Sequence, residues 1–283
     1  MAKLVKTIIG GDDFLTEVLV RGLTVKEPAD AYCVGHCNEK LGRHFQAKYE
    51  VHYLPNFVEM IPNSAILFLA FAPEETKTLL PRIAEKVQEW TLIVSAVRDL
   101  NLETLSNYLP HNEIVRLAVN PSIISGKGLS AYALSQNASI DANSIAEIVL
   151  KECGDVIAVK NETELEEISK FLTANTYLSY VVIRTMIKNA KKVGMTPKEA
   201  NVAVDKLLRG SMRTLIDFGY DTADLLNRGL KDNAIKGEAI DLIQQYGIAD
   251  ELVKELNHPE PEEKINPNDD PKNFRMHYQW SGH

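Results

Sequence analysis

The chain has 283 residues, of which 45% are hydrophobic and 25% are charged, a composition typical of a globular protein with one large or two ordinary domains. Its formal net charge of −8 at pH 7 argues against a general attraction for nucleic acid or for an anionic lipid surface. The longest apolar run, 65–72, is too short to span a membrane, and the first residues enter a strand pattern without a signal-peptide cleavage site, so we predict a cytoplasmic location.

The sequence predicts no metal site. Cys33 and Cys37 flank His36, but no second pair of cysteines or histidines completes a zinc-binding set. Asp12 and Asp13 are adjacent carboxylates at the start of a helical pattern, where such residues are more often caps than metal ligands.

The first half of the sequence alternates short apolar runs with helical patterns. Predicted strands cover Val5–Gly10, Ala31–Gly35, Val51–Tyr53, Ile66–Phe71, Thr91–Ser95 and Ile114–Leu117. Predicted helices cover Phe14–Arg21, Glu39–Lys48, Pro73–Trp90 and Leu102–Leu109. The alternation predicts a doubly wound parallel sheet of the Rossmann type, in which ligands bind at the carboxyl ends of the strands.

The second half is predicted to be almost wholly helical. A long helix over 162–194 is apolar on most faces through 177–187, as expected for a core or a subunit interface. We therefore predict a homodimer formed through the carboxy-terminal helices, with any higher assembly left open. The predicted domains are a Rossmann-type domain at 1–158, a helical dimerisation domain at 159–257 and an extended or disordered tail at 258–283.

A capping box predicts where the next helix begins. Thr196 is the expected N-cap, Pro197 the first helical residue and Glu199 the returning acid. Further helices are predicted from Asp221 or Thr222 and over 236–246 and 249–256. Two interpretations of the aromatic end of the tail remain open, an unstructured terminus and a segment that docks on a partner subunit.

The segment "RLAVNPSIISGKGLSAYAL" carries Arg116, Asn120, Gly126 and Gly128. In these residues it resembles the pyrroline-5-carboxylate reductase family, which has there an arginine, an asparagine turn and Gly-x-Gly before a small-residue strand. "YLPNFVEM", "FLAFAP" and the helical segment 188–219 resemble further parts of that family, so the likeness covers most of 6–256.

The resemblance implies a Rossmann-type domain, a helical dimerisation domain and a reaction, the NAD(P)H-dependent reduction of a cyclic imine to proline. It implies cofactor contacts from Gly10, Gly11, Asp12, Asp13, Phe14, His36, Asn56, Ala70, Pro73 and Asn120. It implies substrate contacts from Asn120, Thr176, Tyr177 and Lys236. It identifies no catalytic residue.

The glycine turn departs from the family pattern, which reads roughly Gly-x-Gly-Asn-Met. Asp12 replaces the second glycine, Asp13 the asparagine and Phe14 the methionine. A carboxylate at a helix N-terminus uses the same N–H groups and dipole that a pyrophosphate would use. A phosphate beside Asp12 would meet a repulsion of about 1 kcal/mol in water, and more where water is excluded.

The other turns depart as well. The end of the second predicted strand offers no arginine for a 2′-phosphate, and Ala72 replaces a family lysine. "LTANTYL", 172–178, lacks the family's glycines and proline, so a helix is expected to continue through it. In "DNAIKGE", 232–238, Lys236 remains as a point charge for a carboxylate.

Three hypotheses remain open on the sequence alone. The chain is an active reductase of pyrroline-5-carboxylate or a related cyclic imine, a descendant that keeps the scaffold and dimer but not the reaction, or a reductase with an acid pocket rebuilt around Thr176, Tyr177 and Lys236.

Overall fold

Eight strands form one sheet in the computed structural model, which describes residues 5–26, 28–36, 38–231 and 236–237. In chain order the strands are β1 (Val5–Gly10), β2 (Tyr32–His36), β3 (His52–Tyr53), β4 (Ser64–Ala70), β5 (Leu92–Ser95), β6 (Ile114–Ala118), β7 (Gly128–Leu134) and β8 (Gly154–Ala158). Across the sheet their order is β3-β2-β1-β4-β5-β6-β7-β8. The order reverses between β1 and β4, which is where doubly wound sheets open a ligand crevice.

The strand directions correct one part of the prediction. Strands β1 to β6 are parallel as predicted, but β7 runs antiparallel to β6 and β8 runs parallel to β7. The connection from β6 to β7 is a short 3-10 turn, Pro121–Ser125, which is too short for the crossover that a parallel neighbour requires. The chain therefore turns back on itself at this point.

Helices cover both faces of the sheet. Among those that pack on it are α1 (Asp13–Leu23), α2 (Glu39–Tyr49), α3 (Thr76–Ala84), α4 (Leu102–Tyr108) and α5 (Ile140–Leu150). The helices that follow in the chain are α6 (Glu162–Lys192), α7 (Pro197–Phe218) and α8 (Thr222–Gly229). Ile8 packs in one core cluster with α1, α2 and α5, while the next residue, Ile9, packs in a second cluster with α3 and α4. This alternation confirms the prediction of a sheet buried on both faces.

Helix α3 ends earlier than the predicted helix Pro73–Trp90. A 3-10 turn covers Pro73–Glu75, and α3 then stops at Ala84. The side chain of Asn112 donates to the carbonyls of Gln88 (2.8 Å) and Thr91 (3.0 Å), which holds this segment in a turn that leads into β5. Neither α5 nor β8 was among the predicted elements.

The chain divides into two compact units, 1–176 and 177–283, and this division falls inside α6. The predicted domain boundary near 158 stays a prediction. In the second unit Val181 and Thr185 of α6 are buried, as are Ala200 and Val204 of α7. The predicted helices over 236–246 and 249–256, apart from 236–237, and the tail 258–283 lie outside the described residues.

The predicted capping box of α7 is confirmed. The backbone N–H of Thr196 donates to Oε2 of Glu199 (2.8 Å), and the N–H of Glu199 donates to Oγ1 of Thr196 (3.3 Å). Among the helices that the structure describes, none combines the length and apolar character required to cross a membrane.

Candidate functional site

Three strand ends lie side by side at the point where the strand order reverses. Gly10, the last residue of β1, is in register with His36 of β2 and with Ala70 of β4. The structure thus brings together the predicted residues of the glycine turn, the end of β2 and the end of β4. We refer to this region, bounded by residues 10–14, 36, 38–39 and 70–75, as the crevice.

The carbonyl of Ala70 fixes the glycine turn. It accepts the backbone N–H groups of Gly11 (3.2 Å) and Asp12 (3.1 Å). The hydroxyl of Thr16 lies 3.2 Å from the same oxygen and 2.6 Å from the carbonyl of Asp12. Two amides of the turn are therefore engaged within the protein, and Thr16 is a member of the site that the sequence analysis missed.

Asp12 caps α1. Its backbone is extended, and its Oδ1 accepts the N–H of Leu15 at 2.9 Å. This is the capping role that adjacent carboxylates at a helix start suggest. The N–H groups of Asp13 and Phe14, the first two of the helix, have no carbonyl four residues earlier within it and point out of its end. Both of these side chains are exposed, Phe14 by 54%.

Glu75 lies against the bare backbone of Gly11. A Cβ placed on Gly11 would overlap Oε2 of Glu75. The same Oε2 accepts the N–H of Ala72 at 3.0 Å, which holds the carboxylate at the end of β4. Glu75 was not among the predicted site residues, although its position three residues after Ala72 has the spacing of a capping box.

His36 is buried between the ends of β1 and β2. Its Nδ1 accepts the N–H of Asn38 at 3.0 Å, and its Nε2 lies 3.4 Å from Oδ1 of Asp13. A Cβ on Gly10 would lie 2.8 Å from Cδ2 of His36, so the glycine is needed for this packing. Burial lowers the pKa of His36, and the carboxylates of Asp13 and Glu75 oppose that shift without reversing it.

The residues that bound the crevice carry five carboxylates, those of Asp12, Asp13, Glu39, Glu74 and Glu75. They do not form a metal site with one another, because the described residues contain no group of three or more His, Cys, Asp or Glu side chains placed to hold an ion. In the described part of the chain, the crevice is thus an acidic cleft with one buried imidazole.

Two predicted asparagines bind their own turns. The side chain of Asn56 is exposed and donates to Glu59 at 2.7 Å. Asn120 is buried: its Nδ2 donates to the carbonyl of Leu129 (3.0 Å), and its Oδ1 accepts the N–H (2.9 Å) and the hydroxyl of Ser122. Asn120 therefore shapes the reversal between β6 and β7. Pro73 is exposed and opens the 3-10 turn that positions Glu75.

The other predicted substrate residues, Thr176, Tyr177 and Lys236, lie on helices. Helix α6 continues without a break through Thr176 and Tyr177, as the loss of glycine and proline in 172–178 predicted. The Tyr177 ring makes an edge contact with Tyr180, with centroids 6.4 Å apart. Lys236 is exposed and helical.

The fold and the crevice define the class of the protein. A sheet with the order 3-2-1-4-5-6, a glycine turn after β1 and helices on both faces constitute a Rossmann-type domain, and the chain continues into long helices.

Comparison with known proteins shows which Rossmann-type proteins this chain is similar to. No family model matches the chain. In sequence, it is similar to a pyrroline-5-carboxylate reductase of Staphylococcus aureus (20% identity over 249 residues, 86% of this chain and 91% of the relative) and to one of Staphylococcus epidermidis (19% over 244 residues, 82% and 90%).

Solved structures of pyrroline-5-carboxylate reductases share the fold of this chain. A pyrroline-5-carboxylate reductase of Coxiella burnetii superposes with a TM-score of 0.68, at 18% identity over 91% of this chain and 97% of that one. A pyrroline carboxylate reductase of Plasmodium falciparum with NADP bound gives 0.65, at 17% identity over 89% and 98%. The resemblance drawn from the sequence is confirmed: the chain is a divergent relative of the pyrroline-5-carboxylate reductases.

Proposed function

We propose that the chain is an NAD(P)H-dependent oxidoreductase that reduces a cyclic imine, of the pyrroline-5-carboxylate reductase type. The observation that carries the proposal is the position of the Gly10–Gly11 turn. It lies at the reversal of strand order between β1 and β4, in a chain similar along most of its length to such reductases. A dinucleotide binds at this point of a Rossmann-type sheet.

Two features of the crevice fit a dinucleotide. Gly10 and Gly11 present backbone without side chains at the end of β1, and Nε2 of His36 has no hydrogen-bond partner among the described residues although the ring is buried. The side chain of Glu75 lies against Gly11. A pyrophosphate that binds at Gly11 would therefore displace this side chain and would leave the backbone in place. The residues proposed to hold the cofactor are Gly10, Gly11, Asp12, Asp13, Phe14, His36, Asn56, Ala70, Pro73 and Asn120.

The bound nicotinamide supplies the hydride, and the protein supplies binding, orientation and exclusion of water. On the protein side, the amides of Asp13 and Phe14 are the first N–H groups of α1 and suit an anion. For the substrate, we propose Asn120, Thr176, Tyr177 and Lys236, with the Lys236 ammonium as the charge that attracts the carboxylate of an imino acid.

We further propose a cytoplasmic homodimer, with domains at 1–158 and 159–257 and a tail at 258–283. Support for the dimer comes from the apolar side chains that the described carboxy-terminal helices expose. They are Tyr177, Leu178, Tyr180 and Val182 of α6, Leu207, Met212, Ile216 and Phe218 of α7, and Leu226 of α8. An apolar surface of this extent is typical of a subunit interface.

Binding and turnover test the proposed function separately. The purified protein is titrated with NADH and NADPH by calorimetry, and oxidation of each cofactor is followed with pyrroline-5-carboxylate as substrate. Binding followed by turnover is expected. Binding without turnover would favour another imine, and the absence of both would overturn the proposal.

One observation favours a second candidate, a scaffold that keeps the fold but not the reaction. Glu75 and Asp12 place carboxylates where a pyrophosphate would lie, and both are held by backbone N–H groups. If neither cofactor binds, this second candidate becomes the better explanation of a fold shared with such reductases.

A further inference from the structure

The end of β2 presents one buried polar atom that lacks a partner. His36 is 1% exposed, and its Nε2 makes no hydrogen bond within the described residues. Oδ1 of Asp13 lies 3.4 Å from it, on a side chain that is 66% exposed. Buried polar atoms in native proteins are almost always hydrogen-bonded, so an unpartnered one at a ligand crevice suggests that a ligand completes its hydrogen bond.

Hydrogen bonding decides which nitrogen of His36 carries the proton. Because Nδ1 accepts the N–H of Asn38, the neutral ring must carry its proton on Nε2. Nε2 is therefore a donor without a hydrogen bond in the described part of the chain, and Oδ1 of Asp13, an acceptor, lies 3.4 Å from it. A vicinal diol can use both groups, because one hydroxyl can accept a hydrogen bond from Nε2 while the other donates one to the carboxylate.

The charges around this point are mostly negative. The turn 10–14, the segment 36–43 and Glu75 together contain four carboxylates and two cations, a balance of −2; they are Asp12, Asp13, Glu39 and Glu75, with Lys40 and Arg43. Arg43 is already engaged, because its Nε and Nη2 lie 2.8 Å and 2.6 Å from Oε1 of Glu39. Lys40, which is exposed, adds a single point charge, and the buried His36 ring adds none.

We propose that Asp13 and His36 bind the adenosine ribose diol of the cofactor and select NADH over NADPH. This inference rests on the proposed function. In a Rossmann-type domain the adenosine ribose lies at the end of β2, where an acidic residue hydrogen-bonds the 2′-hydroxyl of NAD and an arginine accommodates the 2′-phosphate of NADP. Here a carboxylate reaches that place from the first turn of α1, the end of β2 itself carries no arginine, and Arg43 on α2 pairs with Glu39 of the same helix.

Calorimetry on the full-length protein tests the assignment without relying on turnover. We expect the unmodified protein to bind NADH at least about tenfold more tightly than NADPH, because the 2′-phosphate would lie beside Asp13. Asp13→Asn removes that charge from an exposed side chain and should reduce the preference to about threefold or less, chiefly by tightening NADPH binding.

Asp141→Asn is the matched control. Asp141 is also an exposed acid in the first turn of a helix, but α5 follows the reversed strand β7 and so begins at the opposite edge of the sheet. Its substitution should leave the ratio unchanged. Equal or tighter binding of NADPH by the unmodified protein, or an unchanged ratio in Asp13→Asn, would overturn the assignment and leave the proposed function standing. Failure of both cofactors to bind would overturn the proposed function, and this assignment with it.

Discussion

Arg116 in the middle of β6 binds Glu162, the first residue of α6, with Nη1 2.8 Å from Oε1. The same Oε1 accepts the N–H of Leu102 (2.8 Å), and the second terminal nitrogen of Arg116 lies 2.6 Å from Glu166. One buried guanidinium therefore ties the sheet to the start of α6, and Glu162 extends the connection to α4.

Removing this guanidinium should destabilise the first unit. Arg116→Met is expected to cost about 1–3 kcal/mol, less than for a fully buried pair because Glu162 and Glu166 can be hydrated once released. Urea unfolding measures the change. Arg228→Met, which breaks the exposed pair with Asp224 on α8, is the control and should cost at most about 0.5 kcal/mol. Equal costs for the two variants would contradict the structural role of Arg116.

Glu75 should weaken the binding of any anionic nucleotide at the glycine turn. Glu75→Gln keeps an oxygen that can accept the N–H of Ala72 but removes the charge beside Gly11, so nucleotide affinity should rise roughly threefold to tenfold. The measurement is calorimetry with NADH at low salt. The control is Glu74→Gln, because Glu74 is an exposed neighbour in the same 3-10 turn, and this variant should have a smaller effect. An equal gain in affinity in both variants would contradict the prediction, because it would show that the contact of Glu75 with Gly11 has no special effect.

The stability of the protein should fall on mild acidification because of His36. Its pKa is lowered in the folded state, chiefly by burial, so below the ordinary value of about 6.5 the unfolded chain takes up a proton that the folded protein does not. Stability from this residue is therefore present above that pH and is lost as the pH falls.

The pH dependence of urea unfolding is the measurement, compared with that of His36→Asn. Between about pH 7 and about pH 5 the unmodified protein should lose more stability than the variant, whose position 36 does not titrate. Parallel pH profiles for the two proteins would show that His36 is protonated as readily in the folded state as in the unfolded chain.

The proposed dimer predicts that charge on the exposed face of α7 will release monomers. Met212 and Ile216 are one helical turn apart, and Ile216 is 72% exposed in the single chain. Ile216→Glu should shift the sedimentation profile from dimer to monomer. Ile148→Glu is the control, since Ile148 is 65% exposed on α5 of the other unit. Dissociation by Ile148→Glu alone would place the interface elsewhere.

Local signals in the sequence were sufficient for much of the fold. The strand β1, the cap at Asp12 and the capping box of α7 are each encoded within a few residues, and the structure has them where they were predicted. The turn at 88–91 that follows α3 is held by Asn112, which lies in a distant part of the sequence, and the reversal of β7 depends on the length of a turn. The hydrophobic periodicity of the sequence predicts neither feature.

The same distinction applies to the crevice. Its position followed from the strand pattern, because parallel strands end at a common edge. Its chemistry did not, because the contact of Glu75 with Gly11 and the approach of His36 to Asp13 join residues on different turns. Asn120 was predicted to contact cofactor and substrate, but its side chain is already hydrogen-bonded to Leu129 and Ser122.

Three of the helices that begin at the crevice edge carry an acid in the first turn, namely Asp13 in α1, Glu39 in α2 and Glu103 in α4, whereas α3 carries none. Each carboxylate offsets the positive end of the helix on which it lies. Such an edge provides no electrostatic steering, so an anionic ligand would approach it at the rate of undirected diffusion. Binding then depends on the contacts that the ligand makes once it is in the crevice. Selectivity between ligands therefore comes from short-range contacts there rather than from long-range electrostatic attraction.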